Sequence, residues 1–445
     1  MKKVITYGTY DLLHYGHIRL LERAKELGDY LIVGVTADDF DKVRGKINVQ
    51  QSLIERIEAV KATGIADEII VEEYEGQKID DIKRLGVDVF TVGSDWIGKF
   101  DYLNEYCQVV YLDRTEGVSS SDIRTDARAL RLGLLGESII LKKIINEAQY
   151  VNGLQISGIY SDNRTVLETV FYDICSFSSY EELLKHSDAV YIITHPSRHY
   201  SDISTALEAG KHVIYESPLT LDSKEGQELK SLANRNNLVL MEGIKTAYST
   251  AYHRMLLLVK GGRIGEVVSV DATCTSLKDY DMHDERCMDH VWNSMYSWGP
   301  TGLLPVFQIL GTGFNECRII SRLGNTKFLY DSFSKIELVY DNSVASVKVG
   351  QGVKSEGELI ISGTKGYVYV PAPWWKTEYF EIRYEEQENN RRYFYMLEGE
   401  GIRYELVSFT KAIVTNRDMS YVEEEVSYGI QRIMEMFYKG QLITI

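Results

Sequence analysis

Gly8-Thr9-Tyr10-Asp11-Leu12-Leu13-His14-Tyr15-Gly16-His17 follows a short apolar run, Val4 to Tyr7, and precedes an amphipathic stretch from Ile18 to Leu27. That order predicts a buried strand, a turn and a helix. Open α/β sheets bind ligands beyond their strand ends at such junctions. His14 and His17, three residues apart at a helix entrance, can turn both rings toward one point, where unpaired backbone N–H groups and the helix dipole favour an anion. Gly16 between them removes the side chain that would block a phosphate. The competing structural reading has one imidazole capping the helix and the other packed in the core.

Working outward, YLIVGV (Tyr30 to Val35), DVFTVG (Asp88 to Gly93) and VVYL (Val109 to Leu112) continue an alternation of strand and helix patterns that implies a parallel sheet. A fresh strand candidate opens at Leu130, and the alternation restarts through LQISGIYSD, AVYIITHPS and HVIYESP. From about Val267 the runs EVVSVDATCTS, SKIELVYDN, SVASVKVG, GELIISG and GYVYVPAP follow one another with turn signals and few helices, which reads as a mostly antiparallel sheet. The expected division is 1–128, 129–246 and 247–445, joined by packed seams rather than Pro-rich tethers. The fold class is α/β for the first two parts, with an α+β third part.

At 445 residues the chain is long enough for two or three cores. Its net charge of −16 repels nucleic acid and anionic lipid, although a local basic pocket could still hold phosphate. No apolar run approaches the ~20 residues of a membrane span. Cys107, Cys175, Cys274, Cys287 and Cys317 are odd in number and scattered, without a CxxC pair. That suits a reducing cytoplasm without structural zinc, and the start carries no export-type apolar stretch.

A second anion-binding candidate lies at Arg114-Thr115-Glu116-Gly117-Val118-Ser119-Ser120-Ser121-Asp122-Ile123-Arg124. Three serines before a helical pattern offer hydroxyls and free amides, and Arg114 offers a bidentate cationic fork. An ordinary N-cap is the alternative. Through GTYDLLHYGHIRLLERAKELGDYL, VGSDWIGKFDYL and VVYLDRTEGVSSSDIR, residues 1 to about 124 resemble the bacterial glycerol-3-phosphate cytidylyltransferases of the HxGH nucleotidyltransferase superfamily. The resemblance implies a Rossmann-like domain in which a polyol phosphate attacks the α-phosphorus of CTP and expels pyrophosphate, with Mg2+ accompanying CTP and no assignable protein ligand for it. It casts His14, His17, Arg114 and Lys46 as catalytic. Gly8, Thr9, Tyr10, Asp11, Gly16, Arg56, Asp95, Trp96, Thr115, Gly117, Ser119, Ser120 and Ser121 fall to the nucleotide, and Arg44 and Lys78 to the substrate phosphate. The loop DKVRGKINVQQSLIER departs from the family by one inserted residue, which leaves the acceptor open.

At Leu132-Gly133-Leu134-Leu135-Gly136-Glu137-Ser138 a dinucleotide fingerprint is partly present: Gly133 and Gly136 fit, and Ser138 replaces the last glycine. Asp162 is placed to accept from an adenosine ribose hydroxyl, while Arg164 suits a 2′-phosphate, so NAD and NADP stay open. From Arg131 onward the chain resembles the Gfo/Idh/MocA oxidoreductases through SSYEELLKHSDAVYIITHPSRHYSDISTALEAGKHVIYESPLTL, MEGIKTAY and GGRIGEVVSVDA. The resemblance implies a Rossmann NAD(P)-binding domain, with His195, Pro196, His199 and Glu216 near the cofactor, followed by a sheet domain holding a sugar or polyol. Where that family reads Glu-Lys-Pro, this chain reads Glu216-Ser217-Pro218, and Pro305 and Ile309 replace the usual Asp and His. Reduction of a carbonyl needs a proton donor within reach of its oxygen. Lys245 is the candidate substitute for the missing lysine, and His199, His283, His290 and Tyr296 are candidate proton donors.

The expectation is therefore a cytoplasmic, oligomeric enzyme that forms a CDP-polyol for a surface polymer such as teichoic acid or capsule, fused to a reductase for the same metabolite. The alternative is a cytidylyltransferase whose second module is a non-redox scaffold.

Overall fold

The computed structural model describes residues 1–13, 15–37, 49, 51–73, 77–113, 129–169, 171–277, 292–325, 327, 329–395, 397 and 399–445. The chain divides into two compact units, Met1–Ala129 and Leu130–Ile445.

In the first unit β1 (Lys3–Gly8), α1 (Tyr15–Lys25), β2 (Tyr30–Thr36), α2 (Leu53–Ala62), β3 (Glu68–Glu72), α3 (Gln77–Leu85), β4 (Val89–Gly93) and β5 (Gln108–Leu112) follow in order. All neighbouring strands are parallel, in the order β3-β2-β1-β4-β5. Consecutive residues of β1 and β2 point to opposite faces, yet Val4, Ile5, Leu31, Ile32 and Val33 are all fully buried. Helices therefore cover both faces, which is why these strands read as unbroken apolar runs. Leu21 and Ala24 of α1 join Val4, Leu31 and Val33 on one face, and Ile82 of α3 joins Ile5, Ile32 and Phe90 on the other. Ser52 starts α2 with a capping box, its side chain accepting from the Glu55 amide while the Glu55 carboxylate accepts from the Ser52 amide at 2.7 Å. Strand order reverses between β1 and β4, which opens a crevice at their carboxyl ends.

In the second unit β6 (Leu130–Gly136), α4 (Ile140–Ala148), β7 (Leu154–Tyr160), α5 (Arg164–Thr169), α6 (Tyr180–His186), β8 (Ala189–Ile193), α7 (His199–Glu208), β9 (His212–Glu216), α8 (Ser223–Arg235) and β10 (Leu240–Gly243) build another parallel sheet, ordered β10-β9-β8-β6-β7. Ile203, Ala206 and Leu207 of α7 and Leu229 of α8 pack on Val190, Ile192 and Val213. The chain continues through α9 (Thr250–Lys260), β11 (Val267–Thr275), α10 (Ser294–Leu310), β12 (Glu316–Asn325), β13 (Tyr330–Val339), β14 (Val344–Gly350), β15 (Leu359–Gly363), β16 (Tyr367–Val370), β17 (Tyr379–Arg383) and β18 (Arg391–Phe394). It closes with α11 (Ile402–Thr415), α12 (Glu424–Tyr438) and β19 (Ile443–Thr444).

The large sheet runs β18-β17-β16-β15-β11-β14-β13-β12-β19 and is antiparallel except where β11 meets β14 and β12 meets β19. α10 lies on β11, β13 and β14, and α12 packs against it. Pro300 and Pro305 sit inside α10, against the usual exclusion of proline, while Leu303, Leu304, Val306 and Phe307 are buried around them. α11 returns to the parallel sheet and packs beside α4. There Tyr191 of β8 donates its hydroxyl to Glu405 of α11 at 2.6 Å. Among the described residues no helix is long and apolar enough to cross a membrane.

Candidate functional site

β1 delivers Gly8 and Thr9 to the first crevice, and the chain turns through Tyr10 and Leu12, both at positive φ (54° and 48°). α1 then begins at Tyr15, placing Gly16 and His17 in its first turn. The Tyr10 ring points inward, 1% exposed, and meets the His17 ring edge-on at a centroid distance of 5.6 Å. Tyr10 thus braces the imidazole with its buried ring, which leaves its backbone to face a ligand. Asp11 belongs to the scaffold as well. Its carboxylate accepts from the Gln51 amide at 2.9 Å, and the Leu12 amide donates to Gln51 Oε1 at 2.7 Å.

Arg56 departs most from expectation. Its side chain is fully buried and donates to the carbonyls of Thr9 (2.7 Å), Thr36 (2.8 Å) and Gln51 (3.1 Å). It ties the ends of β1 and β2 to the start of α2 and is a positioning residue rather than a nucleotide contact. Lys78 is likewise buried, ion-paired with Glu72 at the end of β3, with its ammonium over the rings of Tyr7 (4.7 Å) and Phe100 (5.5 Å). A phosphate approaching Lys78 competes with Glu72. Asp95 and Trp96 occupy a 3-10 turn, Ser94–Trp96, directly after β4. Among the described residues a side chain added at Gly93, at the end of β4, would meet nothing within 4 Å. His14, Arg44, Lys46, Arg114, Thr115, Gly117, Ser119, Ser120 and Ser121 lie outside the described residues. The described residues form a helix start with an oriented imidazole at a strand-end crevice, an arrangement suited to an anion.

In the second unit the glycine register differs from expectation. Gly133 lies inside β6, where a Cβ would strike Ser187 Oγ at 2.5 Å and Leu183 at 2.9 Å, so it lets α6 approach the sheet. Gly136 alone occupies the turn: its φ is +136° and a Cβ would stand 2.1 Å from the Ile193 carbonyl oxygen. Counting from Gly136, Ser138 and the buried Leu141 take the places of the second and third fingerprint glycines. Ser138 accepts from the Ile140 amide at 3.3 Å and leaves its hydroxyl at the α4 entrance. Asp162 follows β7 and is held by Arg198 (2.6 Å) and the Tyr160 hydroxyl (2.7 Å). Arg164 is exposed at the start of α5. The turn and the acidic residue thus fit a dinucleotide, with two guanidinium groups close to the ribose position.

His195 and Pro196 follow β8, with His195 Nδ1 2.8 Å from Ser197 Oγ and its ring edge-on to Tyr296 at 5.3 Å. His199 is not a proton donor to substrate. It is fully buried, its two nitrogens 2.7 Å and 2.9 Å from the Pro218 and Thr194 carbonyl oxygens, and burial pushes its pKa down. Tyr296 is buried at the start of α10, where burial raises its pKa. Ser217 hydrogen-bonds Glu242, and Pro305 is buried in α10. Neither restores the missing acid. His283 and His290 lie outside the described residues.

Among the described residues the strand ends do assemble acid–base groups, Glu216, Lys245 and Glu405 among them. Desolvation lifts Glu216 to about 7 against the opposing pull of Lys245, and burial and the nearby Glu216 carry Glu405 to about 8. Lys245 does not project freely: it pairs with Glu400 at 2.7 Å. Glu405 and Glu400 escape a reading by motif, because they reach the β8–β10 ends from more than 150 residues along the chain; the turn Gly399-Glu400-Gly401 is the one local signal.

Residues 5–126 match the family described as cytidylyltransferase-like, and residues 130–244 match the Gfo/Idh/MocA oxidoreductase family, NAD-binding Rossmann fold. The chain is 50% identical over 130 residues to glycerol-3-phosphate cytidylyltransferase of Bacillus spizizenii, covering 29% of this chain and 100% of that protein. The corresponding protein of Staphylococcus aureus is 48% identical over 126 residues, 28% of this chain and 95% of its own length. In structure, a 3-ketoreductase from Actinomadura kijaniata, solved with NADP and TDP-benzene, superposes with a TM-score of 0.62 at 17% identity, covering 71% of this chain and 99% of that one. A UDP-N-acetylglucosamine 3-dehydrogenase from Acidithiobacillus ferrooxidans gives a TM-score of 0.54 at 18% identity, covering 70% and 96%. At those identities the likeness is one of fold.

Proposed function

The chain belongs to the cytidylyltransferase-like family through its first unit and carries a Gfo/Idh/MocA oxidoreductase domain in its second, and from that premise we propose that it joins CTP to a small polyol phosphate, glycerol 3-phosphate or a close analogue. The observation that carries this reading is the match over the full length of its glycerol-3-phosphate cytidylyltransferase relatives, on a unit that sets His17 at the crevice with its ring braced by Tyr10. A phosphate oxygen of the acceptor attacks the α-phosphorus, the bond to the bridging oxygen breaks, and pyrophosphate leaves with that electron pair. Such transfers need alignment and neutralisation of charge more than covalent help. The α1 amides and His17, with His14, neutralise the phosphates, and Arg56 holds Thr9 in line. Mg2+ would enter with the triphosphate and share its charge; among the described residues no cluster of three carboxylate, imidazole or thiol groups would hold it independently.

The second unit is read as a nicotinamide-dependent reductase of the same metabolite, either a keto-polyol phosphate before transfer or the CDP-linked product afterwards. Gly136, Ser138 and Asp162 would hold the dinucleotide, which supplies hydride when bound. Glu216, with the charge of Lys245 nearby, is the group able to hold or move a proton at the carbonyl oxygen. The fold neighbours that bind TDP-linked ligands or act on UDP-sugars favour the CDP-linked product. A second reading, a non-redox scaffold, is favoured by Ser217, Pro305 and Ile309 standing where lysine, acid and histidine are needed. The CDP-polyol would serve a surface polymer such as teichoic acid or capsule, made in the cytoplasm by a homo-oligomer. Pyrophosphate release from CTP with glycerol, ribitol or ethanolamine phosphate tests the first activity. Absence of release with every acceptor overturns it, and absence of NADH and NADPH binding to the full chain overturns the reductase reading.

A further inference from the structure

Three lysines from three separate elements of the second unit converge on one carboxylate. Lys143 of α4, Lys245 after β10 and Lys376 of the 3-10 turn Trp374–Lys376 reach Glu400 at 3.0, 2.7 and 2.6 Å. By themselves the four side chains sum to +2, with Glu216 and Glu405 also near Lys245, in a chain whose overall charge is −16. A structural ion pair needs one cation; two more beside a single carboxylate repel one another and are held together by the anion they share. Although burial pulls it upward, hydrogen bonds from Lys245, Lys376 and Lys143 hold Glu400 down at about 2, so it stays ionised.

The turn that carries Glu400 is left-handed throughout. Gly399, Glu400 and Gly401 stand at φ of 60°, 54° and 91°, a left-handed run that a glutamate adopts only when its surroundings require it. The flanking glycines are wedged, since added Cβ atoms would stand 2.1 Å from Glu147 Oε2 and 2.4 Å from the Lys245 carbonyl oxygen. The turn is therefore anchored, and what can move is the Glu400 side chain, about a quarter exposed, with Lys143 about half exposed beside it. Trp375, next to Lys376, lies against Trp298 at 4.7 Å, which adds an aromatic wall to the cationic one. A single carboxylate offers two oxygens to three ammonium groups, whereas a phosphate ester or diphosphate offers more oxygens and at least one more negative charge.

We propose that Lys143, Lys245 and Lys376 bind the phosphate groups of the second unit's substrate, and that Glu400 holds this site until the ligand displaces it. This deepens the reading of the second unit by naming the part of its substrate that it grips, and it rests on that reading only for the ester's identity. The same chemistry could come from a free polyol phosphate or from a CDP-linked diphosphate.

The test is calorimetric titration of the full chain with inorganic phosphate and, separately, with CDP-glycerol, comparing wild type, Glu400→Gln and Lys376→Ala and fitting the two units as independent sites. Glu400→Gln is expected to tighten binding at the second site roughly tenfold and Lys376→Ala to weaken it by a similar factor, each less so at high salt, with the first site unchanged. CDP-glycerol bound far more tightly than phosphate identifies a diphosphate-linked substrate; equal binding identifies a simple phosphate ester. Unchanged second-site binding in Lys376→Ala, or no second site in wild type, overturns the proposal, and Lys376→Ala decides alone if Glu400→Gln does not fold. Hydride transfer is not the readout, so loss of the reductase reading leaves this outcome distinct.

Discussion

Replacing Arg56 by Met isolates the contribution of one buried cation to the first unit. The methionine keeps most of the apolar stem and deletes the donors to the Thr9, Thr36 and Gln51 carbonyls. Each buried acceptor left without a partner costs about 1–3 kcal/mol, and the relief of no longer burying a cation offsets part of the sum. A net loss of about 3 kcal/mol is expected. For a unit ending at Ala129 that lowers the melting temperature by roughly 10–15 °C. The Thr9 loop also loses its tether, and a displacement near 1 Å at a transfer site reduces rate about a hundredfold. Scanning calorimetry of the full chain, with the second unit's transition as internal reference, gives the stability; coupled detection of pyrophosphate at a temperature where the variant is folded gives the rate. If Arg56→Met melts within a couple of degrees of wild type and releases pyrophosphate normally, the tether argument is wrong.

His17→Ala should reduce pyrophosphate release at least a hundredfold while leaving the first unit's melting temperature nearly unchanged, as steady-state kinetics beside calorimetry would record. Gly136→Ala places a methyl on the Ile193 carbonyl at a φ that disfavours alanine, so it should lower the second unit's melting temperature and abolish NAD(P)H fluorescence enhancement. Glu216 and Glu405 have folded-state pKa values near 7 and 8, above their unfolded values, so the folded state binds protons that the unfolded chain has released. The second unit's stability should therefore fall as pH rises from about 4.5 to about 8 and level off above, measured as melting temperature in a pH series. Glu405→Gln, whose amide oxygen can still accept from Tyr191, should flatten that slope; an unaltered slope would contradict the assignment.

The alternation of apolar runs with amphipathic segments suffices for both parallel sheets, because strands covered on two faces must be apolar throughout. The turn at Gly8 to His17 is legible for a similar local reason: strand, turn and helix start are contiguous. Roles set across long sequence separations are not. Arg56 looks like any helical cation in its own neighbourhood, and only the meeting of β1, β2 and α2 shows that its partners are carbonyls. Gly133 reads as part of the dinucleotide turn because one glycine spacing resembles another; the close approach of α6 gives it a different use. α10 is obscured by two prolines whose cost is offset by burial against the sheet. Glu400 and Glu405 come from a remote stretch and carry no motif, so only the tertiary structure brings them beside Lys245.

α11 lies against α4 with Glu405 beneath Tyr191, so one layer of the second parallel sheet is supplied from a stretch more than 150 residues further along the chain. During synthesis β8 to β10 emerge about 160 to 210 residues ahead of the helix that roofs them, and that side stays open to solvent or to a chaperone meanwhile. Cutting after residue 246 would leave the same side bare, so an isolated dinucleotide module should be recovered as aggregate, and any fragment meant to report on cofactor affinity has to retain α11.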